Sequence, residues 1–396
     1  MCGDEKRLFD VECRNERLIK KMKLDSVVKI KYRVGQYGSP PSRGSLHRRL
    51  VPFGVSFVIA SVLAGCGSTT AASNTSSSVA ATSAPAAHSN NLKTVSVAYM
   101  PGVSAGGELV ASAQQGYFAK AGLKVNPVRF SSGPTEVDAL ASGKVNFAYL
   151  GPGALFLAAQ HRAVIIGVTN LSSSDYVLTD SPGVTNVSQL KGQSVMVTEG
   201  TTGEMILYIT LHAANLPLSS VHLVNAPPAD ITAAMASGNV HNVATWSPYA
   251  NEIQAKEPTT RILGSDAHLY PKVGLTSVWV VSPSYLKAHP NTVEKFMEAE
   301  LNANQYYITH MSQLVTPLAK FISVPSKIVA ESNGGAKWLS SSTLVKDYSN
   351  GTVSNWLSGE QNIFIKMGLL KAAVPVSTWF DPKAAIQAGK ADHFAG

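Results

Sequence analysis

Four turns rich in glycine, serine and threonine carry the groups in this sequence that could bind a ligand. Three of them, at 101–107, 131–134 and 151–153, each follow a short apolar run, and the fourth lies at 198–204. They offer backbone N–H groups, hydroxyls and helix N-termini, which suit capture of a small, anionic ligand. No turn holds a nucleophile beside a base or a cluster of metal ligands. Ordinary strand-to-helix turns have the same composition, so both interpretations remain open for the first three.

The candidate ligand contacts in these turns and at the strand end before the first are small or polar, with one Met. They are Met100, Pro101, Ser131, Ser132, Gly133, Gly151, Gly153, Thr198, Thr201, Thr202 and Gly203. The turn at 198–204 is the most promising, although it lacks the Gly-x-x-x-x-Gly-Lys-Ser/Thr spacing of a nucleotide-binding loop. Thr201 or Thr202 could instead cap the helix that follows. Glu199 and Glu204 could meet a ligand amine, remain solvated, or favour the helix N-terminus electrostatically.

Alternating apolar runs and helix-like segments position these turns. The runs at 95–100, 123–130 and 145–150 each lead into a turn and then a helix, which predicts βαβ units and a parallel sheet. Ligands of such sheets bind outside the carboxyl ends of the strands, where the turns lie. A second series begins with a buried strand at 194–197. Near the C-terminus we predict a long helix over 291–310, and helix-like segments carrying Trp338, Trp356 and Trp379.

Cysteine and histidine usage argues against several kinds of enzyme site. The chain has three cysteines, Cys2, Cys13 and Cys66, all in its first 66 residues, so the remaining chain has no thiol nucleophile, disulfide or cysteine metal site. The ten histidines are scattered without an H-x-x-x-H or H-E-x-x-H motif. We therefore predict no cofactor and no metal.

The N-terminal region reads as a leader and a tether. A basic flank at 47–49, an apolar run at 50–63 and the small residues before Cys66 are typical of a secretory signal. The sequence Leu63-Ala64-Gly65-Cys66 resembles the bacterial lipobox, which predicts lipidation of Cys66. The Ser/Thr/Ala-rich stretch at 67–91 has almost no large apolar residue and reads as a flexible tether.

Most of the net positive charge of the chain lies in this leader. Residues 1–65 contain 13 Lys and Arg against 6 Asp and Glu, or +7, and the rest contain 20 against 19, or +1. A nucleic-acid partner is therefore not expected.

Three blocks resemble one family. The stretch FSSGPTEVDALASGKVNFAYLGPGALFLA at 130–158, NVSQLKG followed by SVMV at 186–197, and PPAD leading to WSPY at 227–249 resemble substrate-binding proteins of ABC importers. These take up aliphatic sulfonates, nitrate, taurine and related solutes, including thiamine precursors. The resemblance spans 92–303. Ser247 departs from it where an acidic residue is frequent, and His241-Asn242 where Asp-Ala is usual.

The resemblance implies a two-lobed, type II periplasmic-binding-protein fold of the α/β class. Each lobe would hold a mostly parallel sheet flanked by helices, with the ligand cleft between them. We expect an extension and signal at 1–65, a tether at 66–91, lobe 1 at 92–178 and 275–396, and lobe 2 at 179–274. The resemblance also places Trp246 at the cleft, although a large aromatic at a strand end could equally be core. The chain returns to the first lobe over 272–282, where we expect Thr276 and Ser277 near the cleft floor.

The implied function is capture of a small solute by a monomeric, lipid-anchored extracytoplasmic receptor that delivers it to an ABC permease. An enzyme of the same fold, of the sulfinate hydrolase or thiamine-pyrimidine type, is the alternative, and it would need a cleft cysteine or histidine cluster. A sensory input module would need a transmembrane segment and a signalling domain after the lobes.

Overall fold

The computed structural model describes residues 92–267, 269–270, 273–392 and 394. The predicted signal, the tether at 67–91 and Cys66 lie outside the described residues. No helix of the described part is both long and apolar enough to cross a membrane.

Six strands form the sheet of the first lobe. They are β1 (Lys93–Tyr99), β2 (Leu123–Arg129), β3 (Phe147–Leu150), β4 (Val164–Ser172), β10 (Thr276–Val281) and β11 (Ala336–Trp338). Their order across the sheet is β11-β4-β10-β3-β1-β2. The first four strands run in one direction, whereas β10 and β11 are antiparallel to their neighbours. All six residues of β10 are buried, as expected for a strand covered on both faces.

Five strands form the sheet of the second lobe. They are β5 (Asp175–Thr179), β6 (Ser194–Val197), β7 (His222–Asn225), β8 (Asn242–Trp246) and β9 (Arg261–Ser265), in the order β7-β6-β8-β5-β9. Only β5 runs against the other described strands of this sheet. The lobe limit expected at 178 falls inside β5.

Helices flank both sheets. In chain order they are α1 (Val103–Gln115), α2 (Tyr117–Lys120), α3 (Gly133–Ala141), α4 (Phe156–Ala159), α5 (Thr202–Ala213), α6 (Pro228–Ala236), α7 (Tyr249–Lys256), α8 (Pro283–Ala288), α9 (Pro290–Ile322), α10 (Ser326–Ser332), α11 (Ser341–Ser349), α12 (Thr352–Met367) and α13 (Lys383–Ala391). The predicted long helix is confirmed as α9, which continues beyond a non-helical residue at His310.

The local sequence explains where some of these helices and strands begin and end, and tertiary contacts explain the bounds of others. Helix α1 ends at Gly116, whose φ of 68° is the left-handed conformation expected of a glycine cap. Trp338 was expected on a helix-like segment, and that expectation is wrong. It lies in β11, a three-residue strand that pairs with β4.

Two chain segments join the lobes. Residues 173–174 connect β4 to β5, and residues 266–275 connect β9 to β10. The segments are hydrogen-bonded to each other, because the Asp175 N–H donates to Asp266 Oδ1 at 3.0 Å and the Ser172 N–H donates to the Leu275 carbonyl at 2.7 Å. The two connections are therefore held side by side.

Candidate functional site

A cavity of about 50 Å³ lies between the two lobes. Its wall comes from the carboxyl-terminal strand ends of the first sheet, from the start of α5 in the second lobe, and from the connection between the lobes. A space of this size admits only a small solute or a few water molecules.

Three helices direct their N-termini at the cavity. The wall includes the first residues of α1 (Gly102 to Ala105), Gly133 at the start of α3, and Thr201 and Thr202 at the start of α5. None of the three cap residues, Gly102, Ser132 and Thr201, makes a side-chain capping hydrogen bond. Helix N-termini carry unpaired N–H groups and a partial positive charge, so this wall can receive an anionic group.

The lobes touch each other beside the cavity. The Gly153 N–H of the first lobe donates to Thr202 Oγ1 of the second at 3.3 Å. A side chain at Gly153 would lie 2.2 Å from the Thr201 carbonyl group and 2.3 Å from the Thr202 nitrogen, so only glycine allows this approach. Gly151 and Gly200 also face the opposite lobe, towards Thr202 and Pro134 respectively. The cleft is therefore narrow at this point.

Seven of the residues predicted to contact a ligand line this cavity. They are Met100, Pro101, Gly133, Gly151, Thr201, Thr202 and Trp246. They come from both lobes, from all four of the predicted turns and from the strand ends at Met100 and Trp246, which the fold brings together. Trp246 is half-buried and makes an edge-on contact with Tyr249, at 5.8 Å between ring centroids.

The other six predicted residues lie outside the wall, each for a visible reason. Ser131 is exposed, and Ser132 uses its hydroxyl on Thr135. Gly153 packs against the opposite lobe, as described above. The Thr198 hydroxyl donates to the Ala226 carbonyl at 2.7 Å.

Gly203 and Thr276 belong to the packing behind the wall. A side chain at Gly203 would lie 2.7 Å from the Ala244 carbonyl oxygen of β8, so this glycine seats α5 on its own sheet. Thr276 donates through both its N–H and its hydroxyl to the buried Glu360, at 2.6 and 2.7 Å.

The two glutamates of the turn at 198–204 do not line the cavity either. Glu204 accepts the Gly200 N–H at 2.7 Å, and burial raises the pKa of its carboxyl. Glu199 is exposed, and its own N–H donates to Asn225 Oδ1. The structure thus gives Glu204 a local role in holding the turn.

Several polar wall residues were missed by sequence analysis. Ser277, expected near the cleft floor, lines the cavity. The missed residues are Ser104 and side chains from the strands and the connection between the lobes, including Tyr149, Asn170, Ser172 and Asp175. Their positions depend on how distant strands meet, and no local motif marks them.

Tyr149 and Asp175 are the ionisable groups of the described wall. Burial raises the pKa of Tyr149 to about 12, against the effect of hydrogen bonds with Ser277 and Ser104. Burial, together with the neighbouring Asp266 carboxyl, raises the pKa of Asp175 well above its usual range. No Lys, Arg or His stands among the described residues of the wall.

The family model described as NMT1/THI5 like matches residues 105–313, which is more than half of the chain. The chain belongs to the NMT1/THI5-like family. The matched region includes α1, α3, α5 and both segments that join the lobes.

Curated proteins that are similar in sequence to this NMT1/THI5-like chain are named as binding proteins. A putative binding protein of Brucella abortus is 29% identical over 272 residues, which cover 69% of this chain and 83% of the relative. The taurine-binding periplasmic protein of Escherichia coli is 28% identical over 242 residues, covering 58% of this chain and 73% of the relative.

Solved structures share the periplasmic-binding-protein fold. The alkanesulfonate-binding protein SsuA of Xanthomonas axonopodis, bound to MOPS, has a TM-score of 0.60 at 20% identity, covering 73% of this chain and 98% of its own. The desulfurization enzyme DSZB has a TM-score of 0.55 at 17% identity, covering 76% and 99%. The predicted fold class is confirmed. The fold occurs both in binding proteins and in an enzyme, so the function has to be inferred from the residues of the site.

The enzymatic alternative predicts particular side chains in the wall. No group of three or more His, Cys, Asp or Glu side chains among the described residues could hold a metal ion. The described wall contains no cysteine or histidine, the residues that the enzymatic alternative would need. What the wall does provide is hydrogen-bond donors, hydroxyls, a tryptophan face and one carboxyl.

Proposed function

We propose that this protein is the solute-binding component of an ABC importer, and that it captures a small solute with an anionic group between its lobes. The observation that supports this most is the convergence of three helix N-termini, none with a side-chain cap, on one interlobe cavity. Backbone N–H groups and hydroxyls bind an anion without any chemical step. The related taurine- and alkanesulfonate-binding proteins support the same solute class.

Delivery follows from motion of the lobes. Solute bound to both walls favours the closed arrangement in which Gly153 meets Thr202, and the permease would recognise that closed form. We propose that the protein acts as a monomer, makes and breaks no covalent bond, and uses no cofactor.

The receptor is proposed to be anchored outside the cytoplasmic membrane by lipid on Cys66. The basic flank, apolar run and lipobox-like sequence support export and anchoring, and the tether at 67–91 would hold the lobes away from the membrane. In the variant Cys66→Ser, the protein should leave the membrane fraction and remain unprocessed. Unchanged membrane retention would contradict the anchor and leave solute binding untouched.

A thermal-shift screen tests the proposed function. Alkanesulfonates, nitrate, taurine, a thiamine pyrimidine precursor and aromatic acids would be added singly to the purified protein. A solute that binds only the folded state raises the unfolding midpoint in proportion to ln(1 + [L]/Kd). At least one compound should raise it at micromolar concentration. A flat result for the whole panel would contradict capture of this solute class.

A further inference from the structure

A second contact between the lobes joins α10 of the first lobe to α7 of the second. Ser332 is the last residue of α10, and its hydroxyl donates to Asn251 Oδ1 of α7 at 3.1 Å. The same hydroxyl lies 2.7 Å from the Ile328 carbonyl oxygen, one helical turn earlier, so its single proton is divided between two acceptors. Ser332 is 1% exposed, which shields this contact from water.

Asn251 also accepts a hydrogen bond from the wall of the cavity. Ser247 lines the cavity, and its hydroxyl donates to Asn251 Oδ1 at 2.5 Å. A single oxygen therefore links a wall residue of the second lobe to a buried residue of the first. Ser247 stands where the family pattern often has an acidic residue. An ionised carboxylate accepts hydrogen bonds and donates none, so a hydroxyl is required for this bond to Asn251 Oδ1.

The connection at 173–174 positions both sides of this contact. The Ser247 N–H donates to the Ser174 carbonyl at 3.1 Å, and the Ser173 N–H donates to the Gly335 carbonyl at 3.2 Å. A side chain at Gly335 would lie 2.4 Å from the Ser174 side chain, so the turn that follows α10 packs directly on the connection. The Ser332–Asn251 bond thus lies beside a segment that joins the lobes.

We infer that Asn251 is a positioning residue of solute capture, which couples the cavity wall at Ser247 to the first lobe at Ser332 and so favours the closed arrangement. This inference rests on the proposed function and adds a residue that does not line the cavity. When the lobes open, the Ser332 hydroxyl keeps the Ile328 carbonyl as its acceptor. Opening therefore leaves no buried donor unpaired, and the contact between the lobes can break and form again at low cost.

The variant Ser332→Ala removes this contact and leaves the wall of the cavity intact. Ser358→Ala in α12 is the matched control, because the Ser358 hydroxyl also donates to the carbonyl four residues earlier, at 2.9 Å, within one helix of the first lobe. In calorimetric titration with ethanesulfonate, the Kd of S332A should rise about three- to fivefold, as expected for one lost hydrogen bond, while S358A binds as the wild type does. Stopped-flow tryptophan fluorescence should show the increase in the dissociation rate, because the contact forms after closure.

A double-mutant cycle assigns the effect to this pair of residues. In an Asn251→Ala background, Ser332→Ala should cause no further loss of affinity, since its partner is already absent. Wild-type affinity in S332A, or effects of the two substitutions that simply add, would overturn the inference. If ethanesulfonate does not bind the wild type, that result counts against the proposed function instead. The same cycle is then measured by urea unfolding, where coupled effects support the contact between the lobes and independent effects overturn it.

Discussion

At the scale of a single residue, Thr202 lies both in the wall of the cavity and at a contact between the two lobes. It lines the cavity at the start of α5, and its hydroxyl accepts the Gly153 N–H from the other lobe. A bound solute and the contact between the lobes would therefore meet at the same side chain. This is the kind of position at which occupancy of the site can favour one arrangement of the lobes.

Replacing Thr202 by valine keeps the branched shape and removes the hydroxyl. The dissociation constant of the solute should rise by about fivefold, because one lost hydrogen bond costs about 1 kcal/mol. The unfolding midpoint should change little, since the bond joins two lobes that fold around separate sheets. Calorimetric titration measures the affinity, with Thr309→Val, an exposed threonine on α9, as the control. A Kd within error of the wild type would show that this hydroxyl plays no part in binding.

Sequence reasoning reached the turn residues of the cavity, as well as Trp246 at the end of β8 and Ser277 of β10, and missed the other polar strand residues. Thr201, Thr202, Gly133 and Gly151 were predictable because small and polar residues after an apolar run indicate the binding edge of a sheet. Asp175 gave no such signal. It reaches the cavity because β5 crosses into the second sheet and places it against Asp266, 91 residues further along the chain.

The packing of α5 on β8 fixes the second-lobe side of the cavity. Gly203 allows the helix to lie against the strand, since a side chain there would come within 2.7 Å of the Ala244 carbonyl oxygen. Sequence analysis treated Gly203 as a ligand contact, because a glycine in a turn and a glycine under a helix look the same in one sequence.

Gly203→Ala should therefore reduce stability. Backbone atoms of β8 cannot move aside easily, so we expect a loss of about 1–3 kcal/mol, as is usual for overpacking. Urea unfolding followed by circular dichroism measures it. Gly334→Ala, where an added side chain meets no atom within 4 Å, is the control and should be nearly neutral. Equal midpoints for both variants would mean that α5 is not seated as described.

Two buried carboxyls of the first lobe lie on α1 and α9. Trp279 Nε1 donates to Glu108 Oε2 at 2.8 Å, whereas neither carboxyl oxygen of Glu300 has a hydrogen-bond partner among the described residues. Burial raises the pKa of Glu108 from 4.5 to about 7 and raises that of Glu300 well above its usual range. Burial shifts the pKa of Glu136 and of Glu360 in the same direction.

These groups predict a fall in stability with rising pH. Below about pH 4.5 the carboxyls are protonated in both the folded and the unfolded chain. Between that pH and about 7 the unfolded chain releases its protons first, so the free energy of unfolding decreases. Urea midpoints at pH 5 and pH 8 measure the slope. Glu300→Gln should flatten it, whereas the exposed control Glu331→Gln should not. The same slope in E300Q and in the wild type would contradict the raised pKa of Glu300.

Element limits were predictable where the signal is local. The glycine cap of α1 and the apolar runs of β3 and β6 follow from neighbouring residues. The start of α5 at Thr202 agrees with the alternative that Thr201 precedes this helix as its cap residue, although Thr201 makes no side-chain capping hydrogen bond. Strand β11 exists only through its pairing with β4, so no window around Trp338 could have indicated it.

At the scale of the molecule, we propose that the two lobes rotate about the connections at 173–174 and 266–275. Gly153 packs against the second lobe, and its substitution by alanine would place a carbon 2.2 Å from the Thr201 backbone. We expect rotation of the lobes away from each other to relieve this clash. Each lobe should therefore keep its own fold in Gly153→Ala, while closure around a solute becomes unfavourable.

Small-angle X-ray scattering with and without solute tests capture by closure most directly. The wild type, G153A and the control Gly183→Ala, whose added side chain meets no atom within 4 Å, would be measured with the compound that gives the largest thermal shift. The account predicts a smaller radius of gyration on solute addition for the wild type and G183A, and no decrease for G153A at the same concentration. Equal compaction of all three proteins, or none in the wild type, would contradict it.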